Sequence, residues 1–219
     1  QTKAESKRQQ QEAFLKLTGG ERFMNFLELS RAINQLFPVK NKVSFEERYD
    51  VNFLIREEDI ADNNVEKNIE NFIKLAHKHE VKMILVGGGA ININGYERSS
   101  SDVNFWIDTD EDNMKKLVNV FKDMGYEIDK FSEKVTHQMQ NISVKFSPYD
   151  LDLKLITRFS IGKTFEDAYQ DSTEEIMKVE NLLRWRVLSY EDLITSKIKP
   201  YRPKDILDIQ QLKLIQNNK

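Results

Sequence analysis

Residues 81–108, VKMILVGGGAININGYERSSSDVNFWID, place an apolar run, three glycines and a second apolar run opened by Asp102-Val103-Asn104 within one short span. Met83 to Val86 and Val103 to Ile107 are short, rich in β-branched or aromatic residues and bounded by glycine or polar clusters, which predicts two β-strands. Successive strand side chains point to opposite faces, so Asp102 and Asn104 share one face while Val103 and Phe105 take the other. Two oxygen ligands at that spacing can share one cation. Gly87 to Gly89 let the backbone turn sharply and bring its N–H groups near an anion, and Ala90-Ile91-Asn92-Ile93 can start a short helix whose N-terminus favours phosphate. The span therefore reads as a phosphate-holding loop beside a metal-binding strand.

Outward from that span, the matching positions are Gly88-Gly89-Ala90, Gly95-Tyr96-Glu97-Arg98, Ser100 two residues before Asp102, and, far downstream, Lys197 followed by Arg202-Pro203-Lys204-Asp205-Ile206-Leu207-Asp208. In order and spacing this resembles the nucleotidyltransferase superfamily that includes DNA polymerase beta. It is most similar to bacterial minimal nucleotidyltransferases and AbiEii-like toxins, over roughly residues 65 to 215. The resemblance implies an α/β (α+β) fold: a mixed β-sheet flanked by helices, with N-terminal and C-terminal helical segments. It also implies transfer of a nucleotidyl group from a nucleoside triphosphate such as ATP to an acceptor hydroxyl, with magnesium or manganese as cofactor. The acceptor stays open among RNA, protein and a small molecule. Asp102 and position 104 would bind the metal, and Gly88 and Gly89 would hold the β- and γ-phosphates. One departure stands out: the family's second carboxylate is Asn104 here, an amide that can ligate but carries no charge. Magnesium prefers oxygen ligands, usually one or two carboxylates with substrate phosphates, so weakened metal affinity and catalysis are expected. A non-catalytic member that binds nucleotide, RNA or a partner, and a toxin–antitoxin component, are the alternatives.

Such sites take a third carboxylate from a neighbouring strand. Residues 150–156, DLDLKLI, alternate polar and apolar as a half-buried strand does, with Asp150, Asp152 and Lys154 on one face. By likeness to the family, Asp152 is the expected third ligand and general base and Asp150 the alternative; the competing reading makes both solvent-facing strand residues.

The sequence has 219 residues, a hydrophobic fraction of 39%, a charged fraction of 32% and a formal net charge of −3. Such a composition suits a globular chain with a charged surface and no overall basic footprint, so nucleic-acid binding would need a local patch. No apolar run approaches the roughly 18 residues of a membrane span, and the Gln/Lys/Arg-rich start is unlike a secretory signal; a cytoplasmic location is expected. The lack of cysteine excludes disulfides, thiolate catalysis and zinc–cysteine sites.

Residues 1–60 read as an N-terminal helical extension and 61–219 as the nucleotidyltransferase-fold domain with its C-terminal helices. Gly19-Gly20 is expected to break a first helix. Phe23, Phe26, Leu27, Ile33 and Leu36 then recur at helical spacing until Pro38, and that stripe packs either on its own fold or on a partner or second copy. A helix carrying Val65, Ile69, Phe72, Ile73 and Ala76 leads into the first strand. Thr109 is the expected cap of the next helix, which Gly125 stops. Glu127 to Phe146 is expected to hold one or two strands. Ser189 with Asp192 reads as a capping box opening Tyr190 to Lys199, Pro203 as a first helical turn, and Ile206, Ile209 and Leu212 as a buried stripe.

Lys197 is the favoured nucleotide-binding lysine by resemblance, against the reading of a solvated helix end. Arg98 can steady a phosphate or pair with a carboxylate, and Ser100 and Ser101 can donate hydroxyls to phosphate, although loop serines more often bond their own turn. Asp205 and Asp208 are expected to brace the last helix. His77 and His79 do not share a helix face and make a poor metal pair; His137 stands alone. Trp106 and Trp185 are expected to pack in or beside the sheet.

Overall fold

Seven strands form one mixed sheet in a computed structural model that describes residues 2–37, 51–54, 67–146, 150–178, 182–198 and 202–218, with the backbone alone at 51–54. In chain order the elements are α1 (Lys3–Lys16), α2 (Gly19–Leu36), β1 (Val51–Leu54), α3 (Asn68–Lys78), β2 (Met83–Val86), α4 (Gly87–Ile93), β3 (Asp102–Ile107), α5 (Glu111–Asp123) and α6 (Glu133–Thr136). They continue with β4 (Asn141–Val144), β5 (Asp152–Ile156), α7 (Phe165–Asp171), β6 (Thr173–Lys178), β7 (Leu182–Val187), α8 (Tyr190–Ile198) and α9 (Pro203–Asn217). The strand order is β1-β4-β5-β3-β2-β7-β6. At its centre β3 runs antiparallel to β2 and parallel to β5.

The two predicted central strands appear at Met83–Val86 and Asp102–Ile107, and the strand around Asp152 begins at Asp152 itself, leaving Asp150 before it. Period-two alternation decides what each face does. Val103, Phe105, Leu153 and Leu155 are fully buried. Phe72 of α3 packs on Phe105 and on Phe121 of α5, each at 5.9 Å between ring centres. The other face carries Trp106 between Phe159 and Phe165 at the α7 end. Both tryptophans pack as expected: Trp185 lies on Phe23 with 5.0 Å between ring centres.

Helix α2 belongs to this core. Phe23, Phe26 and Leu27 are fully buried in the same apolar cluster as the strands, while Ile33, Leu36 and Phe37 at its C-terminal end are exposed. The expected break falls at Leu17-Thr18 instead of Gly19-Gly20. Thr18 makes a capping box with Glu21 and draws both glycines into the first turn of α2, because the cap satisfies N–H groups that glycine alone would leave open. The cap of α5 is likewise Asp110, whose side chain accepts from the Asn113 N–H, and not Thr109. Between Glu127 and Phe146 the described chain forms one strand, β4, and the single-turn helix α6. Ser189 accepts from the Asp192 N–H, one half of the expected capping box, while the Asp192 carboxylate pairs with Lys163. The stripe expected on α9 is corrected: Ile206 is exposed, and Asp205, Asp208 and Leu212 face inward. Pro38, Val65, Lys199 and the boundary at residues 60 and 61 lie outside the described residues. Among the described residues no helix is long and apolar enough to cross a membrane.

Candidate functional site

The antiparallel pairing of β2 with β3 sets Val86, the last residue of β2, opposite Asn104. Gly87 follows at once with φ +63, a left-handed conformation that glycine adopts without penalty, and a Cβ there would lie 3.4 Å from Asn104 Nδ2. The chain turns at Gly87 straight into α4, which starts there and not at Ala90. Gly88 packs against Ser100 and Phe26. Gly89 has a different task, since a Cβ would come within 3.0 Å of Leu85 and Phe23, so this glycine seats α4 against the core.

Parallel pairing of β3 with β5 places Asp102 opposite Asp152 and Asn104 opposite Lys154. Directly opposed residues project to the same face, so two carboxylates, an amide and an ammonium share one patch at the start of both strands. Asp102 is the hub. Its Oδ1 accepts from Ser100 Oγ at 3.0 Å and from Asn104 Nδ2 at 2.8 Å, and Lys154 Nζ stands 3.1 Å from Oδ2. Burial pushes the Asp102 carboxyl up; the charge and hydrogen bond of Lys154, helped by Asn104 and Ser100, overcome that and hold it below the ordinary carboxylate range.

Asp150, the alternative to Asp152, sits elsewhere. It is buried and accepts from Arg31 Nε at 2.9 Å and from Asn68 Nδ2 at 3.3 Å. Arg31 also makes a two-pronged contact with Glu70, at 2.8 and 2.6 Å. Burial lowers the Arg31 guanidinium, but Glu70 and Asp150 together raise it above its ordinary value. This group ties α2 to α3 and to the approach of β5. One residue earlier on α2, Ser30 Oγ accepts from the Ser100 N–H at 3.1 Å. Thus α2 touches the entries of both acidic strands.

Arg98 and Lys197 are gathered in one cluster with Asp205 and Asp208. Arg98 Nη1 donates to both carboxylate oxygens of Asp208, at 2.8 and 2.7 Å, while Lys197 Nζ lies 2.8 Å from Asp205 and 3.2 Å from Asp208. Arg202 Nε donates to Asp205 at 2.6 Å. Asp205 and Asp208 therefore brace α9, as expected, and do so by pairing with the two cations assigned to nucleotide. Ser101 is exposed, and its carbonyl accepts from the Asp152 N–H at 3.1 Å.

Three contributors carry a partial signal or none in the sequence. Lys154 was placed on the acidic face, but only the β3–β5 register brings it to Asp102. Asn92, fully buried, donates to the carbonyls of Gly88 and Arg98 and accepts from the Arg98 N–H, so it pins the glycine turn to the loop before Asp102; an Asn in an apolar helical run was its only signal. Ser30 had none. The histidines stay apart from the site: His79 pairs with Asp123 at 2.8 Å. Among the described residues no three His, Cys, Asp or Glu side chains are grouped to hold a metal ion.

Comparison with protein families matches residues 64–218 to a family described as a nucleotidyltransferase of unknown function, DUF6036. A search of curated proteins finds no match.

Proposed function

Because the chain belongs to this family of nucleotidyltransferases, we propose that the patch around Asp102 binds a nucleoside triphosphate and transfers its nucleotidyl group to an acceptor hydroxyl. The observation that carries this reading is the pairing of Asp102 with Asp152 beside the turn at Gly87. The donor chemistry fits one magnesium or manganese ion: two carboxylates on opposed strand positions, completed by phosphate oxygens, are an ordinary set for magnesium, and the Asn104 amide adds a neutral ligand at most. When bound, such an ion would neutralise phosphate charge and polarise the reacting phosphoryl group.

The chain's own residues do the rest. Backbone N–H groups of Gly88 and Gly89 approach the β- and γ-phosphates, with Ser100 and Ser101 alongside. Asp152 orients the acceptor hydroxyl and takes its proton as the oxygen attacks the α-phosphorus. The bond from that phosphorus to the bridging oxygen breaks, and pyrophosphate leaves with the electron pair. Positioning and charge stabilisation supply the rate. The Arg98–Asp208–Lys197 cluster supports the narrower likeness to minimal nucleotidyltransferases and AbiEii-like toxins, in which RNA, a protein or a small molecule in the cytoplasm is the acceptor.

The contact of Lys154 and Asn104 with Asp102 favours a second reading, nucleotide binding without turnover. Thermal unfolding with each of the four nucleoside triphosphates and magnesium tests the binding common to both: a rise in Tm that Asp102→Ala abolishes supports it, and an unmoved Tm with all four contradicts it.

A further inference from the structure

We propose that Lys154 is a resident cation of the nucleotide site, whose ammonium takes the place of one of two divalent ions and contacts the triphosphate directly. The inference rests on the nucleotide-binding reading above and deepens it.

Charge and register carry it. Two ions about 3.5–4 Å apart need several carboxylates between them. Asp102, Asp152 and Lys154 instead sum to −1 at neutral pH, and position 104 contributes no charge. The uncharged amide and the ammonium stand opposite one another in the β3–β5 pairing, Asn104 against Lys154. Both reach the same acceptor group: Asn104 donates to Oδ1 of Asp102 at 2.8 Å and Lys154 lies 3.1 Å from Oδ2. A lysine ammonium is a compact point charge suited to phosphate. The Lys154 side chain is 29% exposed, so an anion arriving at the patch can reach it. Asp102 then serves as the counter-ion that holds the ammonium in place.

The test is equilibrium binding of each of the four nucleoside triphosphates, ribose-labelled with a fluorophore, to the full chain in EDTA and in magnesium. Wild type is expected to bind in EDTA, and magnesium to tighten binding by less than about tenfold, or about 1.4 kcal/mol. Lys154→Met is expected to weaken binding in EDTA by about tenfold or more, with partial recovery in magnesium, while Lys154→Arg retains binding in EDTA. Asn104→Asp combined with Lys154→Met is expected to bind only with magnesium. Far-UV circular dichroism melts establish that each variant is folded. Equal affinity of wild type and Lys154→Met in EDTA, or a gain in affinity on removing the lysine, overturns the role of Lys154 and leaves nucleotide binding standing. Absence of binding by every folded form in both conditions overturns the nucleotide reading and this inference with it.

Discussion

Asp102 and Asp152 face one another as the first residues of two adjacent parallel strands, β3 and β5. Asp150, two residues away, is instead buried against Arg31 and Asn68. The two acids should separate cleanly on substitution. Asp152→Asn is expected to lower nucleotidyl transfer by about 10²–10⁴-fold, the range of a lost general base, with little change in urea midpoint. Asp150→Asn is expected to cost about 1–3 kcal/mol of stability through a weakened charged hydrogen bond. The opposite pattern in urea titrations and transfer rates would show the roles to be exchanged.

The N-terminal helix α2 lies outside the matched family residues 64–218, yet its Arg31 pairs with both Glu70 and Asp150. Removing one partner of a buried charged group costs about 3–5 kcal/mol, so Arg31→Met is expected to lose that much in urea unfolding. A chain lacking residues 1–37 also loses Phe23, Phe26 and Leu27 from the core. It is expected to lack a cooperative melt, and a normal melt would show α2 to be dispensable.

The three consecutive glycines are expected to differ. Gly89→Ala forces a methyl to within 3.0 Å of Leu85 and Phe23, an overpacking worth about 1–3 kcal/mol. Gly87→Ala places a side chain at φ +63, which costs about 1–2 kcal/mol. At Gly88 a Cβ meets Ser100 and Phe26 at ordinary contact distances of 3.4 and 3.5 Å, so Gly88→Ala is expected to keep stability while weakening triphosphate binding. Thermal melts beside nucleotide titrations check all three.

Asp205 sets an acid limb. Burial raises its carboxyl, but Arg202 and Lys197 overcome this and hold it below the ordinary value of 3.8. As pH falls, the unfolded chain takes up this proton before the native state does. The stabilisation is therefore fully present above the ordinary carboxylate range and is lost as pH falls through the lowered native value. Stability from urea unfolding is expected to drop below about pH 4, and less steeply in Asp205→Asn; an unchanged acid limb in that variant would contradict the assignment.

What could be read in advance divides along the range of the interactions. Strands β2 and β3, the glycine turn, and the Ser189 cap of α8 are local patterns of a few residues, and the sequence carries them directly. Helix α9 was legible in position but not in orientation. Its inward face bears Asp205 and Asp208, because their partners Lys197 and Arg98 come from elsewhere, Arg98 110 residues earlier. Apolar periodicity is blind to a helix seated on ion pairs. Strand β6, Thr173–Lys178, passed unnoticed since it sits at the sheet edge with alternate residues exposed and little apolar content. At the site, Asp102, Asn104 and Asp152 were legible as types and spacings. Lys154 became a candidate partner of Asp102 only once register joined two strands some fifty residues apart.

The most direct measurement follows a triphosphate labelled at the α-phosphorus into RNA, protein and small-molecule fractions of a cell extract, beside the same triphosphate labelled at the γ-phosphorus. The expected result is label from the α-position alone in one acceptor fraction, with pyrophosphate released, and its loss in Asp152→Asn. Label passing from the γ-position, or equal incorporation by wild type and Asp152→Asn, would contradict nucleotidyl transfer at the Asp102–Asp152 patch.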